Sequence, residues 1–264
     1  MNAVLVDVTK CVGCERCVAA CVDANERDPK RAQVDRASTA DGLSANRPLS
    51  LVQIAERRFA RKSCMHCVDP SCVSACLVGG LTKTADGPVV YDPAKCIGCR
   101  YCMLACPFHV PRYEWTETAP LMVKCDLCAQ RTAQGVEPAC VEACPHEALT
   151  FGPRDALVEE AHDRIARGPS AYLPRVWGED EFGGTSVLYV SDVDLGALGW
   201  PDGDAAAIPS LTESLITKTP FIGGGVACSL LAINWMIGRR MKLAAEAEPR
   251  AGDARADSLE RSEP

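Results

Sequence analysis

The sequence predicts an α+β fold made of tandem small modules, closed by a single C-terminal transmembrane helix. Three observations carry this. Sixteen of the seventeen cysteines fall into four groups of four between positions 11 and 144. Short apolar or β-branched runs, Val4–Val8, Val89–Tyr91 and Ala148–Phe151, lie beside those groups as strands would. Near the other end, residues 220–238 read PFIGGGVACSLLAINWMIG, nineteen residues without a charge.

The groups are Cys11, Cys14, Cys17, Cys21; Cys64, Cys67, Cys72, Cys76; Cys96, Cys99, Cys102, Cys106; and Cys125, Cys128, Cys140, Cys144. The first and third read C-x2-C-x2-C-x3-C, the second widens one gap to four residues and the fourth widens one to eleven. Three thiolates so close together wrap one face of a cubane, while the fourth points away and serves a neighbouring cluster. That is the run of bacterial ferredoxins, so the modules are bacterial-ferredoxin-like and four 4Fe–4S clusters are expected. Disulfides compete, but C-x2-C-x2-C neighbours pair awkwardly with one another. Zinc competes too, and the fourth group alone fits two zinc knuckles; in the first and third groups zinc would leave a thiolate idle. Soft thiolate ligation in repeated triplets favours iron–sulfur. Cys106–Pro107 and Cys144–Pro145 complete the ferredoxin ending, whereas Val22 and Leu77 follow Cys21 and Cys76. The proline orients the chain and ligates nothing.

The 264 residues suffice for one large or two small domains. Aromatics are only 5%, and the apolar 47% includes the cysteines, so the ordinary core of the first half is thin. Metal binding then supplies folding free energy, and the apo-protein is expected to be unfolded or molten. Net charge is −7 with no basic stripe, which argues against nucleic acid. The N-terminus MNAVLVDVTKCVGC has no part of a secretory signal, and neither Arg57–Arg58 nor Arg239–Arg240 precedes an apolar run near it. Any export would depend on a partner that carries the signal.

Residues 1–152 are expected to form the four-cluster domain, with a polar insertion at 23–48 rich in turn signals. Leu49–Phe59 reads as a strand. Within 153–217, Pro153–Arg167 fits an amphipathic helix with Leu157, Val158, Ala161 and Ile165 on one face. Thr185–Val190 reads as a strand, and 194–217 as an extended connector. Residues 218–240 are expected to be the transmembrane anchor and 241–264 a disordered cytoplasmic tail.

The apolar run is just long enough to span a bilayer. Arg239, Arg240 and Lys242 follow it against the single Lys218 before it, which places the C-terminus in the cytoplasm and the cluster domain outside. A buried helix of a soluble domain competes, but polar residues do not alternate through the run. Cys228 inside it reads as a small apolar residue facing a partner helix. His66, His109, His146 and His162 read as groups that tune potential or solvation, since no cysteine ligand is missing. Lys95, Arg100, Arg112 and Lys124 flank ligands and would raise a cluster's potential. No nucleotide fingerprint or catalytic constellation emerges, so no substrate-transforming site is expected.

CMHCVDPSCVSAC (64–76), DPAKCIGCRYCMLACPFHVPRYEW (92–115), and KCDLCAQR with PACVEACP (124–145) resemble the four-cluster electron-transfer subunits of respiratory molybdopterin oxidoreductases and membrane hydrogenases. WGEDEFGGTSVLYV (177–190) and the C-terminal anchor are similar to the formate dehydrogenase beta subunit and to the hydrogenase 2 type of iron–sulfur subunit. The resemblance implies ligand exchange between groups. Cys11, Cys14 and Cys17 would share a cluster with Cys144; Cys125, Cys128 and Cys140 with Cys21; Cys64, Cys67 and Cys72 with Cys106; and Cys96, Cys99 and Cys102 with Cys76. It implies a non-catalytic relay from a formate dehydrogenase or nickel–iron hydrogenase catalytic subunit to a membrane cytochrome b or quinone-reducing subunit. Leu77 departs from the family's usual proline, and the short N-terminus tilts the reading toward the formate dehydrogenase arrangement. A soluble ferredoxin-like subunit of a cytoplasmic oxidoreductase is the alternative.

Overall fold

The computed structural model describes residues 1–38, 41–115, 118, 120–201, 203 and 205–247. The chain runs β1 (Asn2–Asp7), α1 (Arg16–Ala24), α2 (Pro29–Ser38), β2 (Ser50–Ala55), β3 (Arg58–Lys62), α3 (Ser71–Ser74), β4 (Leu81–Lys83), β5 (Val89–Tyr91), α4 (Tyr101–Leu104), β6 (Arg112–Tyr113), β7 (Met122–Val123), α5 (Ala129–Ala133), α6 (Ala139–Glu142), β8 (Leu149–Pro153), α7 (Arg154–Arg167), β9 (Val187–Val190) and α8 (Ile208–Ala247). It divides into two compact units, one of residues Met1–Leu211 and one beginning at Thr212.

The first unit hangs on a three-stranded sheet in which β1 lies between β8, antiparallel, and β9, parallel. A central strand covered on both faces needs apolar side chains at every position, which is why residues 3–6 read Ala-Val-Leu-Val. The alternation of side chains then sorts them. Ala3 and Leu5 pack with Leu157 and Ala161 of α7, the predicted amphipathic helix. Val4 and Val6 face the other way and share a core with Cys17, Val18, Cys21, Leu127 and Cys140. The sheet is therefore the wall against which the first and fourth cysteine groups fold. A separate, smaller core of Leu81, Val89, Tyr113 and Met122 joins the hairpins β4–β5 and β6–β7, with Cys72, Cys76 and Cys102 packed against it.

Three segments differ from the sequence-based expectation. The polar insertion holds a helix, α2, and it delivers Ala32 and Leu43 into the main core; a few apolar residues in a polar stretch suffice when one side rests on the core. The strand expected over 49–59 is a hairpin, because the chain reverses between Ala55 and Arg58, with Arg57 at φ 59°. The connector expected over 194–217 contains a tight turn at Gly196–Leu198 and the start of α8.

In the second unit α8 continues to Ala247, so it encloses Pro220 and runs past the expected anchor into the expected tail; residues 248–264 of that tail lie outside the described residues. At about 1.5 Å per residue the helix is about 60 Å long, roughly twice a bilayer's hydrocarbon thickness. It is the one helix among the described residues long and apolar enough to cross a membrane. Three of its hydroxyls bond within the helix: Thr217, Thr219 and Ser229 donate to the carbonyls of Glu213, Leu215 and Gly225. That is what an apolar surrounding demands of polar groups.

Candidate iron–sulfur centres

Each cysteine group opens with the same backbone device. The second residue between the first two cysteines has positive φ in all four groups: Gly13 (76°), His66 (49°), Gly98 (69°) and Leu127 (58°). This turn directs an amide at the first sulfur, with Gly98 N 3.4 Å from Cys96 Sγ and Leu127 N 3.4 Å from Cys125 Sγ. Glycine adopts the conformation freely. Gly13 has a further reason to be glycine, because a Cβ there would sit 2.8 Å from the Phe59 ring. His66 and Leu127 carry strain of about 1 kcal/mol, and both side chains are fully packed in the interior.

The third cysteine then lies in a short helix: Cys17 in α1, Cys72 in α3, Cys102 in α4 and Cys140 in α6. After the fourth cysteine the chain makes one recurring turn. Gly79 N donates to Cys76 O (3.3 Å), His109 N to Cys106 O (3.1 Å) and Glu147 N to Cys144 O (3.4 Å), and all three donor residues have positive φ. The turn forms with Pro107 and Pro145 and equally with Leu77, so the missing proline changes nothing in the local path. Cys21 differs, since it sits inside α1, and Asn25 Nδ2 donates to its carbonyl (2.8 Å) and reaches its sulfur (3.7 Å).

Helix α1 packs on α6 and α3 on α4. This pairing brings together thiols from different groups. Burial raises the Cys11 thiol, and Cys144 and Cys14 lie close enough to influence it; Cys17 lies within reach of Cys11 and Cys144. Cys21 lies among Cys125, Cys140 and Cys128. Cys67 lies among Cys64, Cys106 and Cys72, and Cys102 among Cys96, Cys99 and Cys76. Four sets result, each with three cysteines from one group and one from another. Electrostatic influence between sets gives them an order: Cys17 feels Cys140, Cys125 feels Cys64, and Cys72 feels Cys102. The end sets carry the exposed Cys14 and Cys99, while Cys17, Cys21, Cys125 and Cys140 are buried.

Burial pushes the Cys17, Cys72 and Cys125 thiols up to about 12. Thiols so placed give up their protons only to a strong positive partner, so metal loading would release protons. Among the described residues no three His, Cys, Asp or Glu side chains converge on a single ion position. Sets of three thiols from one short loop and one from another suit a group with several iron corners better than one tetrahedral zinc. Two orphaned donors point the same way. His66, fully buried, accepts at Nδ1 from Val89 N (2.9 Å), which leaves Nε2 as the protonated nitrogen, and Nε2 has no partner among the described residues. Arg61 is 1% exposed, its Nη2 is 3.8 Å from Cys125 Sγ, and its Nε and Nη1 have no partner among the described residues.

The remaining residues singled out from sequence are more ordinary. His109 and His146 are exposed, and His162 pairs with Glu179. Lys95 pairs with Asp92, Arg100 lies over the Trp115 ring, and Arg112 meets Asp41. Lys124 lies closer to the thiols, bonding the carbonyl of Cys125 (3.0 Å) and lying near Cys72. Arg61 was not foreseen. It is far in sequence from Cys125 and Cys140, and nothing in the run ERRFARK marks which of its charges turns inward.

Paired short helices, repeated thiol loops and inward-facing donors define an iron–sulfur protein of the electron-transfer class. A family model described as a 4Fe-4S dicluster domain matches residues 55–154. Hydrogenase-2 operon protein HybA of Escherichia coli O157:H7 is 36% identical over 252 residues, covering 80% of this chain and 76% of that protein. The B subunit of the anaerobic dimethyl sulfoxide reductase of E. coli K12 is 40% identical over 172 residues, covering 64% and 80%. The iron–sulfur subunit of nitrate-inducible formate dehydrogenase of E. coli K12 is 34% identical over 200 residues, covering 71% and 67%. The protein belongs to this family of 4Fe–4S iron–sulfur subunits.

Proposed function

We propose that this protein is the electron relay of a membrane-bound respiratory oxidoreductase and carries four 4Fe–4S clusters. Cys11, Cys14, Cys17 and Cys144 hold the first; Cys21, Cys125, Cys128 and Cys140 the second; Cys64, Cys67, Cys72 and Cys106 the third; Cys76, Cys96, Cys99 and Cys102 the fourth. When bound, such clusters carry one electron at a time. The protein's own part is to hold the thiols, keep exposed cysteines out of the middle of the line and leave its two ends accessible. The observation that carries this reading is the linear order of the four thiol sets, with exposed cysteines only in the terminal ones.

One end then meets a catalytic subunit, a molybdopterin formate dehydrogenase or a nickel–iron hydrogenase. The other meets a membrane cytochrome b or quinone-reducing subunit. Helix α8 anchors the protein by a single pass, with the positive Arg239, Arg240 and Lys242 on the cytoplasmic side and the cluster domain outside. The 40% identity to a dimethyl sulfoxide reductase subunit favours a second reading, in which the same line feeds electrons from the membrane to a terminal reductase.

Cysteine exchange is the test of the ligand sets. Cys21→Ser and Cys125→Ser should perturb the same paramagnetic signal in the reduced protein, although they lie in different groups. Loss of different signals would defeat the assignment. Purifying the complex and adding formate, hydrogen or a reduced quinol then distinguishes the donors, and resistance of the protein to a carbonate wash tests the anchor.

A further inference from the structure

Strand β3 carries three cations, and two of them are neutralised. Arg58 forms a two-pronged pair with Asp192 at 2.7–2.9 Å. Lys62 pairs with Asp41 at 3.2 Å and donates to the carbonyl of Leu198 at 2.7 Å. Arg61 lies between them and points into the interior, where among the described residues no carboxylate meets it. What surrounds its guanidinium is sulfur. Nη2 reaches Cys125 Sγ, Cys140 and Cys17 lie near, and the side chain borders the small cavity lined by Cys11, Cys14, Cys17 and Cys144. The hydroxyl of Tyr189 donates to the Arg61 carbonyl (2.8 Å) and fixes the backbone beneath the side chain.

A buried guanidinium without a counter-charge is costly, and it persists only where a negative partner is supplied. Guanidinium is permanently charged and presents several donors in a plane, so it can serve two anionic neighbours at once. The first and second thiol sets are those neighbours. A four-thiolate cubane gains one negative charge on reduction, so a fixed cation beside it favours the reduced form, and local charge is one of the levers on cluster potential.

We propose that Arg61 is a shared buried countercharge for the first and second thiol sets, holding both of their clusters at a higher potential than they would otherwise have. It is a positioning and tuning residue, not a ligand. The third set has different cations, since Lys83 and Lys124 lie near its thiols, and the fourth set lies beyond both. The effect is therefore concentrated on two clusters.

The inference rests on the cluster assignment proposed above, and the experiment separates the two. Midpoint potentials are read by paramagnetic resonance in the full-length protein, loaded with clusters, for wild type, Arg61→Gln and Arg61→Lys. If the wild type shows no clusters, the assignment fails. With clusters present, Arg61→Gln should move two midpoint potentials to more negative values and leave the other two in place, while Arg61→Lys keeps all four near wild type. No shift in Arg61→Gln, or an equal shift of all four, would overturn the proposal. If Arg61→Gln does not retain clusters, Arg61→Lys decides: full loading at wild-type potentials supports a role for charge, and loss of clusters there too makes the residue a packing element and sinks the idea.

Discussion

The two ends of the line of thiol sets are built differently. The first set, with the second beside it, packs against the β1 sheet, the β2–β3 hairpin and the insertion with Cys14 at the surface, and the charge it faces is a buried arginine. The fourth set is held by two short hairpins and stands near the surface. Leu104 beside it is 76% exposed, and Leu77, Ile97, Tyr101 and Trp115 are exposed as well. Its polar support is neutral. Burial is the largest single influence on the Cys76 thiol and raises it, but the amides of Val78, Leu81, Gly80 and Gly79 together outweigh it and pull that thiol below its ordinary value. The Tyr113 hydroxyl lies 3.2 Å from Cys102 Sγ. One loop design is thus stabilised by a buried cation and a packed core in one place, and by backbone amides and a phenol in another. Apolar area around the fourth set is what a partner surface would cover.

Removing the metal should bring the largest effect. The sheet has a cysteine-free core on its α7 face, whereas the core on its other face and the smaller core of Leu81, Val89, Tyr113 and Met122 both have cysteine neighbours. After iron extraction, hydrogen exchange should collapse to unprotected rates over residues 64–125 while some protection survives in β1, β8, β9 and α7. Uniform loss would erase the distinction between the ends.

Glycine substitution sharpens it next. Gly13 and Gly98 hold equivalent loop positions with positive φ, yet a Cβ at Gly13 collides with Phe59 and one at Gly98 meets nothing within 4 Å. Gly98→Ala should therefore cost only backbone strain, about 1 kcal/mol. Gly13→Ala adds overpacking and should cost about 3 kcal/mol, with loss of one cluster. Denaturant midpoints of the loaded variants, alongside iron content, make the comparison; equal costs would show that Phe59 yields.

Tyr113→Phe removes one donor from the fourth set. One midpoint potential should fall, and stability should change by about 1 kcal/mol. A shift in more than one signal would mean that the sets are not electrostatically separate. Leu77→Pro should have the smallest effect, within about 0.5 kcal/mol in thermal unfolding, because the turn at Gly79 already matches the turns after Pro107 and Pro145.

The chemistry was legible in the sequence because thiol spacing dictates it, and the strands at 89–91 and in the first residues were legible because a central or hairpin strand needs apolar runs. Helix α7 announced itself by periodicity. The hairpin turn at Arg57 was hidden, since a charged residue in a left-handed turn leaves no glycine or proline to mark it. Helix α2 was hidden by its polar composition, and the early start of α8 by Pro220, which reads as a boundary and lies inside the helix. Arg61 was invisible for another reason: its partners are thiols distant in sequence, and only the fold brings them to its strand.

Everything turns on whether the four exchanged thiol sets each hold a cubane. Anaerobically purified full-length protein, assayed for iron and acid-labile sulfide and then reduced stepwise under paramagnetic resonance, should give about sixteen of each per molecule and four reducible centres. Zinc in place of iron, or a reduced sample without a signal, would contradict it.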